Sequence, residues 1–306
     1  MEQYEVIVIG RGAAGLSSAL VFGRSKRKML VLDANAARNS VTHASHGYLT
    51  RDGGVKPESF KSIGLSEIKA YPTVSYVETK VTALEKEEGV FTVQTDNGKS
   101  YASRRVVVAA GMREELPAII GLQNVYGSTV FPCPYCDGWE RKDEPLAIFG
   151  NEPWLIHYVK LIYNWSQDLI VFTNGAAALS EEDRKDLRGH GVELVEEAIE
   201  ELISTEGRLQ QVVMVSGEAY HRSGGFIMDT GESQAFSLDH FGVDYTDMGG
   251  VATEEGAKTA VKGLYVIGDT KNVFSGLLKA TSEGYEVAAE INHEMAMEDW
   301  ERGGVS

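Results

Sequence analysis

Residues 4–15, which read YEVIVIGRGAAG, decide the fold of this chain. An apolar, β-branched run leads into Gly10, Gly12 and Gly15, and a helical pattern of apolar residues continues from there to residue 25. A second apolar run, KMLVLDA, occupies residues 28–34. Strand, glycine turn, helix and strand in this order form a βαβ unit of a parallel sheet, so the sequence predicts an α/β protein.

The same order of elements returns later in the chain. Residues 144–150 (EPLAIFG) predict a strand, residues 153–165 a helix with an apolar face, and residues 168–174 (DLIVFTN) another strand. An alternating, meander-like stretch follows each βαβ unit, and a further strand, VKGLYVIGDT, precedes a long C-terminal helix. We therefore predict two Rossmann-like, three-layer domains, the second inserted into the first, with these limits: 1–113 plus 247–306, and 114–246.

Composition narrows the class of protein. The 306 residues suit about two domains, and the net charge of −16 argues against nucleic acid as a partner. No apolar run reaches the roughly 18 residues of a membrane span, and the acidic N-terminus lacks the features of an export signal. Two cysteines are not the framework of a secreted, disulfide-rich domain. We expect a cytoplasmic protein that does not bind membranes.

The first glycine turn has the features of a dinucleotide site. Gly10 would form the tight turn, Gly12 would let a pyrophosphate approach the backbone, and Gly15 would let the helix pack on the sheet. Asp33 ends the second strand, where a carboxylate can bind ribose hydroxyls. The alternative is a plain tight turn. Asp269, which ends a later strand, could bind a ribityl or pyrophosphate group, and this extended binding favours FAD.

The two cysteines stand in the segment FPCPYCDGWE, at residues 133 and 136. A zinc site would need about two more ligands of matching spacing, and no second cysteine pair exists, so we predict no metal. Two inert core thiols are the second alternative. A Cys-x-x-Cys pair suits reversible disulfide exchange, which passes through a mixed disulfide. Asp137 follows at once and would serve either as a proton donor and acceptor or as a helix cap.

The second glycine turn departs from a nicotinamide site. Residues 150–155 read GNEPWL and keep only the first glycine. Glu152 brings a carboxylate where a pyrophosphate needs bare backbone, and Pro153 removes an N–H group. Residues 169–183 contain no Lys or Arg to bind a 2′-phosphate, and Thr173 with Asn174 replaces the acid that NADH prefers. We predict that normal nicotinamide binding is lost, and the alternative is an unusual but working site.

Four motifs together (GRGAAG, VVVAAG, CPYCDG and YVIGDT) resemble those of the low-molecular-weight thioredoxin reductase family of flavoproteins. The resemblance covers nearly the whole chain. It implies an FAD domain split by an inserted NADPH-type domain, and a homodimer. It assigns Cys136 to the flavin side, Cys133 to substrate exchange and Asp137 to proton transfer.

The loop at residues 37–57, ARNSVTHASHGYLTRDGGVKP, is similar to that of the gliotoxin- and holomycin-type dithiol oxidases, a branch that lacks the NADPH fingerprint. Carried over, Arg38 and Asn39 would contact FAD. His46 would lie near the isoalloxazine and help to deprotonate an incoming thiol. The alternative is that His43 and His46 are solvated loop residues.

The resemblance therefore predicts an FAD-dependent thiol-disulfide oxidoreductase that oxidises a dithiol, with oxygen as the acceptor. One alternative is a thioredoxin reductase that uses ferredoxin or a divergent NAD(P)H site, and another is a flavin-binding redox sensor. The substrate stays open between a small molecule and a thioredoxin-like protein. The predicted catalytic residues are Cys133, Cys136, Asp137 and His46. The predicted FAD-binding residues are Gly10, Gly12, Ala13, Ala14, Gly15, Asp33, Ala34, Arg38, Asn39, His46, Val81, Ala110, Gly111, Gly268 and Asp269.

Overall fold

A computed structural model describes residues 1–177, 179–228 and 231–303 of the chain. The first half contains these elements: β1 (Glu2–Ile9), α1 (Ala13–Arg24), β2 (Met29–Asp33), α2 (Pro57–Lys69), β3 (Val74–Glu78), β4 (Val81–Glu87), β5 (Val90–Thr95), β6 (Ser100–Val108), β7 (Met112–Glu115), α3 (Leu122–Val125), β8 (Val130–Phe131), α4 (Pro134–Asp137) and β9 (Leu146–Phe149).

The second half contains these elements: α5 (Leu155–Ile162), β10 (Leu169–Phe172), α6 (Glu181–Gly189), β11 (Glu193–Val195), β12 (Ile199–Thr205), β13 (Arg208–Met214), β14 (Ala219–His221), β15 (Gly224–Ile227), β16 (Gly231–Gln234), β17 (Leu264–Val266), α7 (Asp269–Asn272) and α8 (Leu277–Glu301). None of these described helices is long and apolar enough to cross a membrane.

The contacts divide the chain into two compact units. Unit 1 comprises Met1–Ser40, Pro57–Arg113 and Glu232–Ser306, and unit 2 comprises Val41–Lys56 and Glu114–Gly231. The two strands at the crossing points between the units, β7 and β16, pair with each other. The predicted limits of an FAD domain and of an inserted nicotinamide-type domain stay a prediction. Residues 41–56 make their contacts within unit 2, which the sequence pattern did not indicate.

Unit 1 has three layers around a sheet of strand order β3-β2-β1-β6-β5-β4, with β17 also pairing with β6. Strands β1, β2, β3 and β17 run parallel, while β4, β5 and β6 form the antiparallel meander that the sequence predicts. One face of the sheet packs against α1 and α8, and the other packs against the meander. The two helices approach closely, because a Cβ atom at Gly284 would lie 2.2 Å from the backbone oxygen of Ala14.

Unit 2 repeats this plan in a smaller form. A parallel sheet of order β11-β10-β9-β15-β8 forms its centre, and a separate antiparallel sheet, β12-β13-β14, covers one face. Helix α5 packs on the opposite face through Leu155, Ile156, Val159 and Ile162. The helix spans eight residues rather than the thirteen predicted, because it begins only after Trp154 and the chain turns at Tyr163. Two α/β units of this kind confirm the predicted fold class.

Candidate functional site

The first βα turn is tightly packed except at one residue. Gly10 has φ +106°, and a Cβ atom there would lie 2.2 Å from the backbone oxygen of Ala109. A Cβ atom at Gly15 would lie 2.0 Å from the backbone oxygen of Gly10, so the helix can begin here only without a side chain. At Gly12 no atom lies within 4 Å of the Cβ position. Bare backbone therefore faces open space at the start of α1, as phosphate binding requires.

Asp33 closes this turn from the end of β2. Its carboxylate accepts hydrogen bonds from the Arg11 backbone N–H at 3.0 Å and from Arg11 Nε at 3.3 Å. The Arg11 side chain is buried and also donates to Asn35 Oδ1 at 3.1 Å. The sequence analysis missed Arg11, although a basic residue inside the glycine motif was a visible signal. The ribose contact proposed for Asp33 stays a prediction.

A second cluster of unit 1 forms where β17 ends. Asp269 Oδ1 accepts hydrogen bonds from the backbone N–H and the hydroxyl of Ser275, and its Oδ2 lies 2.5 Å from the guanidinium of Arg38. Arg38 also pairs with Glu232 at 2.9 Å and covers the ring of Phe274. The structure therefore brings together Arg38 and Asp269, which are 231 residues apart. Neither Glu232 nor Phe274 stands in a motif that the sequence analysis identified.

The other predicted FAD residues of unit 1 lie at the ends of elements. Gly111 donates its backbone N–H to Thr270 Oγ1 at 2.8 Å, and Gly268 has φ +66° at the start of α7. The remaining positions are these: Ala13 and Ala14 in the first turn of α1, Ala34 after β2, Asn39 in a short 3-10 helix, Val81 at the start of β4, and Ala110 after β6. Their contacts with FAD stay predictions.

Cys133 and Cys136 form a disulfide that spans the single helical turn of α4. Cys133 is the N-cap residue of this turn, and its Sγ accepts the backbone N–H of Cys136 at 3.2 Å. Neither cysteine is fully buried. The pair is therefore held by local geometry and is partly exposed to solvent. Its predicted redox role stays a prediction at this point.

Asp137 ends α4 and is 8% exposed. The pKa of its carboxyl is raised to about 7, chiefly by burial and in part by the nearby charge of Glu140, while His46 and Arg141 act to lower it. Because Cys133 and not Asp137 caps α4, the helix-cap interpretation of Asp137 does not describe this turn. A carboxyl group that gains and loses its proton near neutral pH suits proton transfer beside a thiol.

His46 lies in unit 2, close to residues 131–143, which hold the two cysteines and are called the dithiol segment below. Its Nδ1 is 3.4 Å from Glu140 Oε1, and its charge contributes to the environment of Asp137. His43, by contrast, is exposed. The structure therefore brings together the predicted residues His46 and Asp137, and it adds Glu140, which the sequence analysis did not identify. The prediction that His46 lies near the isoalloxazine stays untested.

The second βα turn has a different construction from the first. Residues 150–154 connect β9 to α5, and Trp154, 46% exposed, stands at the N-cap position. Glu152 is exposed, and the side chain of Leu155 is completely buried under the helix. At the end of β10, Thr173 donates to the backbone oxygen of Gly175, and Asn174 Oδ1 accepts the N–H of Ile199. These side chains therefore serve the local backbone.

Basic groups near this second turn are also engaged. Arg184, the first basic residue after β10, pairs with Glu196 and donates to the backbone oxygen of Ala177 at 3.4 Å. Within residues 1–177, 179–228 and 231–303, no group of three or more His, Cys, Asp and Glu side chains could hold a metal ion.

Comparison with known proteins gives a consistent result. Residues 4–153 match the family model "Pyridine nucleotide-disulphide oxidoreductase". A solved structure assigned as thioredoxin reductase TrxB from Bacillus anthracis is 38% identical, with a TM-score of 0.90 over 96% of this chain and 99% of that one. The crystal structure of HlmI is 30% identical, with a TM-score of 0.91 over 98% of this chain and 95% of that one.

A curated relative from Arthroderma benhamiae, assigned as a thioredoxin reductase, is 36% identical over 179 residues. This match takes in 56% of the present chain and 44% of the relative, so the chain aligns with less than half the length of that protein.

Proposed function

The chain belongs to the pyridine nucleotide-disulphide oxidoreductases and, among them, to the thioredoxin reductase-like flavoproteins that bind FAD, and from this we propose that it oxidises a substrate dithiol to a disulfide. In this proposal Cys133 and Cys136 exchange with the substrate, bound FAD would supply the electron acceptor for the cysteine pair, and molecular oxygen is the final acceptor. The substrate is a small dithiol or a thioredoxin-like protein. The cytoplasmic location and the homodimer also remain predictions.

The residues of unit 1 fit FAD. Gly12 leaves bare backbone at the start of α1, where the diphosphate of a dinucleotide would meet unpaired N–H groups. Asp33 stands at the end of β2 for a ribose, and Asp269, oriented by Arg38 and Ser275, stands at the end of β17 for a ribityl or diphosphate group. When bound, FAD supplies the two-electron acceptor that the cysteine pair needs.

The single observation that carries the proposed direction is the second βα turn. A buried Leu155, an exposed Glu152 and an N-capping Trp154 occupy the place where a nicotinamide dinucleotide would need glycine and bare backbone. A protein that has lost its nicotinamide site cannot draw electrons from NADPH. In this proposal the electrons therefore enter from the thiol side.

The proposed exchange balances in the following way. A substrate thiolate attacks Cys133 Sγ, the disulfide breaks, and Cys136 leaves as a thiolate. The second substrate thiol attacks the substrate sulfur of the mixed disulfide, and Cys133 leaves as the substrate departs as a disulfide. Asp137 takes up and returns protons beside Cys136. With FAD and oxygen, the sum is dithiol plus O₂ giving disulfide plus H₂O₂.

A second candidate is supported by the names of the relatives. The Bacillus anthracis and Arthroderma benhamiae proteins are both assigned as thioredoxin reductases. A chain of this kind that does not use NADPH would reduce a disulfide with electrons from another donor, such as reduced ferredoxin, or through a divergent NAD(P)H site. The same cysteine pair would then run in the opposite direction.

Anaerobic titration of the FAD-loaded protein, followed by flavin absorbance, tests both candidates. We expect dithiothreitol to bleach the flavin, NADPH to fail, and air to restore the colour with one H₂O₂ formed for each dithiol oxidised. Rapid bleaching by NADPH or by reduced ferredoxin would instead support the reductase. The variant C136S should keep its FAD and lose the dithiol reaction, and turnover by C136S would contradict the role of the cysteine pair.

A further inference from the structure

Residues 45–55 form a closed loop that presents His46 within unit 2. Ser45 and Val55 exchange both backbone hydrogen bonds, at 2.9 and 3.1 Å, and so bring the two ends of the loop together. Inside the loop, the backbone N–H of Gly47 donates to Asp52 Oδ1 at 3.1 Å. Gly54 has φ +92°, and a Cβ atom there would lie 3.1 Å from Cε1 of His46. The loop is therefore shaped around the imidazole ring.

The partner of this ring comes from the dithiol segment. His46 Nδ1 lies 3.4 Å from Oε1 of Glu140, which stands in the 3-10 turn Trp139–Arg141 directly after α4. Both side chains are partly exposed, at 21% for His46 and 32% for Glu140. Asp137, three residues before Glu140, is buried. The charged groups that act on Asp137 are His46 from the loop and Glu140 and Arg141 from the turn.

The exposure of the three side chains increases from Asp137 to His46 to Glu140. Asp137 is the buried carboxyl next to Cys136, His46 is a partly exposed ring that acts on it electrostatically, and Glu140 is the most exposed of the three side chains and contacts the ring. Arg141 does not complete the set, because its guanidinium pairs with Glu144 at 3.2 Å. A carboxylate that binds one nitrogen of a histidine fixes the orientation and tautomer of the ring.

We propose that Glu140 is a positioning residue whose carboxylate holds the His46 ring beside Asp137, so that Asp137, His46 and Glu140 pass protons between the cysteine pair and solvent. The inference rests on the proposed thiol exchange at Cys133 and Cys136, but it does not depend on the final electron acceptor. Each dithiol that reacts must lose two protons, and a buried carboxyl alone can hold one. The histidine and the exposed carboxylate give the proton a way out.

A double-mutant cycle tests this role through the anaerobic reduction of the protein by dithiothreitol. We expect H46Q to slow flavin bleaching about 100-fold at pH 7, at the lower end of the usual loss when an acid–base group is removed, and E140A about 10-fold, as for an orienting partner. The double variant should be no slower than H46Q, because Glu140 speeds proton transfer by positioning His46, while its own charge acts directly on the dithiol segment. E140Q should recover part of the rate, since its amide oxygen can still accept from Nδ1. The control E201Q, at an exposed position of unit 2, should match wild type.

A second readout does not need the flavin. The protein is reduced, freed of reductant without air, and alkylated with iodoacetamide across pH, and the labelled cysteines are counted by mass spectrometry. The charges of the two side chains also act directly on the sulfurs. Removing the negative charge of Glu140 should favour thiolate formation and removing the His46 ring should disfavour it, so the pH midpoint of alkylation should fall in E140Q and rise in H46Q, by roughly 0.5 to 1 pH unit. Shifts of the same sign, or an E140A loss that adds to that of H46Q, would overturn the inference. A wild-type flavin that dithiols do not bleach would instead count against the proposed function, and alkylation would still test the relay.

Discussion

The two βα turns of this protein follow the same plan and differ in the space that they leave at the start of the helix. In the first, three residues connect β1 to α1, and Gly12 leaves the start of the helix open. In the second, five residues connect β9 to α5, with Trp154 at the N-cap position and Glu152 exposed beside it. Leu155, at the first position of α5, is completely buried.

The comparison shows that a Rossmann-like fold does not require the full set of glycines in its βα turn. The sheet of unit 2 keeps its parallel order and its buried strands, because these depend on apolar packing and not on the glycines. The glycines serve the ligand and the close approach of helix to strand. Once a ligand no longer selects for them, larger side chains can fill the same space and stabilise the unit.

The largest effect is expected when the first βα turn receives a carboxylate like that of Glu152 in the second turn. We expect G12E to reduce bound FAD at least 10-fold, because a carboxylate would stand where the diphosphate needs N–H groups and open space. The ratio of flavin to protein absorbance after desalting measures this. The matched control is G189E, at an exposed residue of α6 with no atom within 4 Å of its Cβ position. A fully flavinated G12E would show that the two turns do not differ in the way we describe.

The second prediction concerns the packing role that Leu155 has acquired. We expect L155A to lower the free energy of unfolding by about 3 kcal/mol, since truncating a completely buried leucine leaves a cavity. Denaturant unfolding followed by tryptophan fluorescence reports this loss. V215A, at a residue 63% exposed in the same unit, should change stability by less than about 0.5 kcal/mol. Equal losses in the two variants would mean that the second turn is not part of the core.

The third prediction uses the dithiol segment, which unit 1 does not possess. Burial raises the pKa of Asp137 to about 7, so the folded protein holds this proton more tightly than the unfolded chain does. The wild type should therefore lose stability relative to D137N as pH rises from about 4 to about 7, and no further above that. We expect D137N to gain about 4 kcal/mol over wild type between pH 4 and pH 8.

Thermal unfolding at the two pH values checks this sign. D143N, at an exposed aspartate of the same segment, should differ from wild type by less than about 0.5 kcal/mol at both. A D137N variant that is less stable than wild type at pH 8 would show that the carboxylate is stabilised by partners rather than penalised by burial.

The smallest effect is expected at the end of the second strand of each βαβ unit. Unit 1 has Asp33 there, at the end of β2, and unit 2 has Thr173, directly after β10. D33N should weaken FAD binding by roughly 3- to 10-fold, because the amide holds Arg11 and a ribose less well than the carboxylate. Titration of apo-protein with FAD, followed by fluorescence quenching, measures the change. T173S should leave FAD affinity unaltered, and an equal loss in both variants would point to a general effect on folding.

The parts of this molecule that the sequence predicts are those set by local chemistry. Gly10 and Gly15 require the absence of a side chain because of backbone atoms a few residues away or in the adjacent strand, and the glycine spacing shows this directly. The Cys-x-x-Cys spacing likewise predicts a pair that can bond within one helical turn. Both features could be found without knowing the tertiary structure.

The contacts that sequence analysis could not supply join distant segments. His46 and Glu140 lie 94 positions apart, and neither belongs to a periodic pattern that would indicate a shared surface. Arg38 likewise meets Glu232, 194 residues away, by an ion pair that depends on how β16 and the 3-10 helix at Arg38–Val41 pack. Such contacts follow from tertiary packing, which propensity and spacing do not encode.

The backbone N–H of Cys136 can stabilise negative charge on the sulfur of Cys133. It already points at Cys133 Sγ while the two sulfurs are bonded. In the proposed exchange, Cys133 departs as an anion when the substrate disulfide is expelled, and this N–H dipole would already be oriented to receive that charge. The leaving group is thus solvated in advance by its own backbone, which favours release of the product over return of the mixed disulfide.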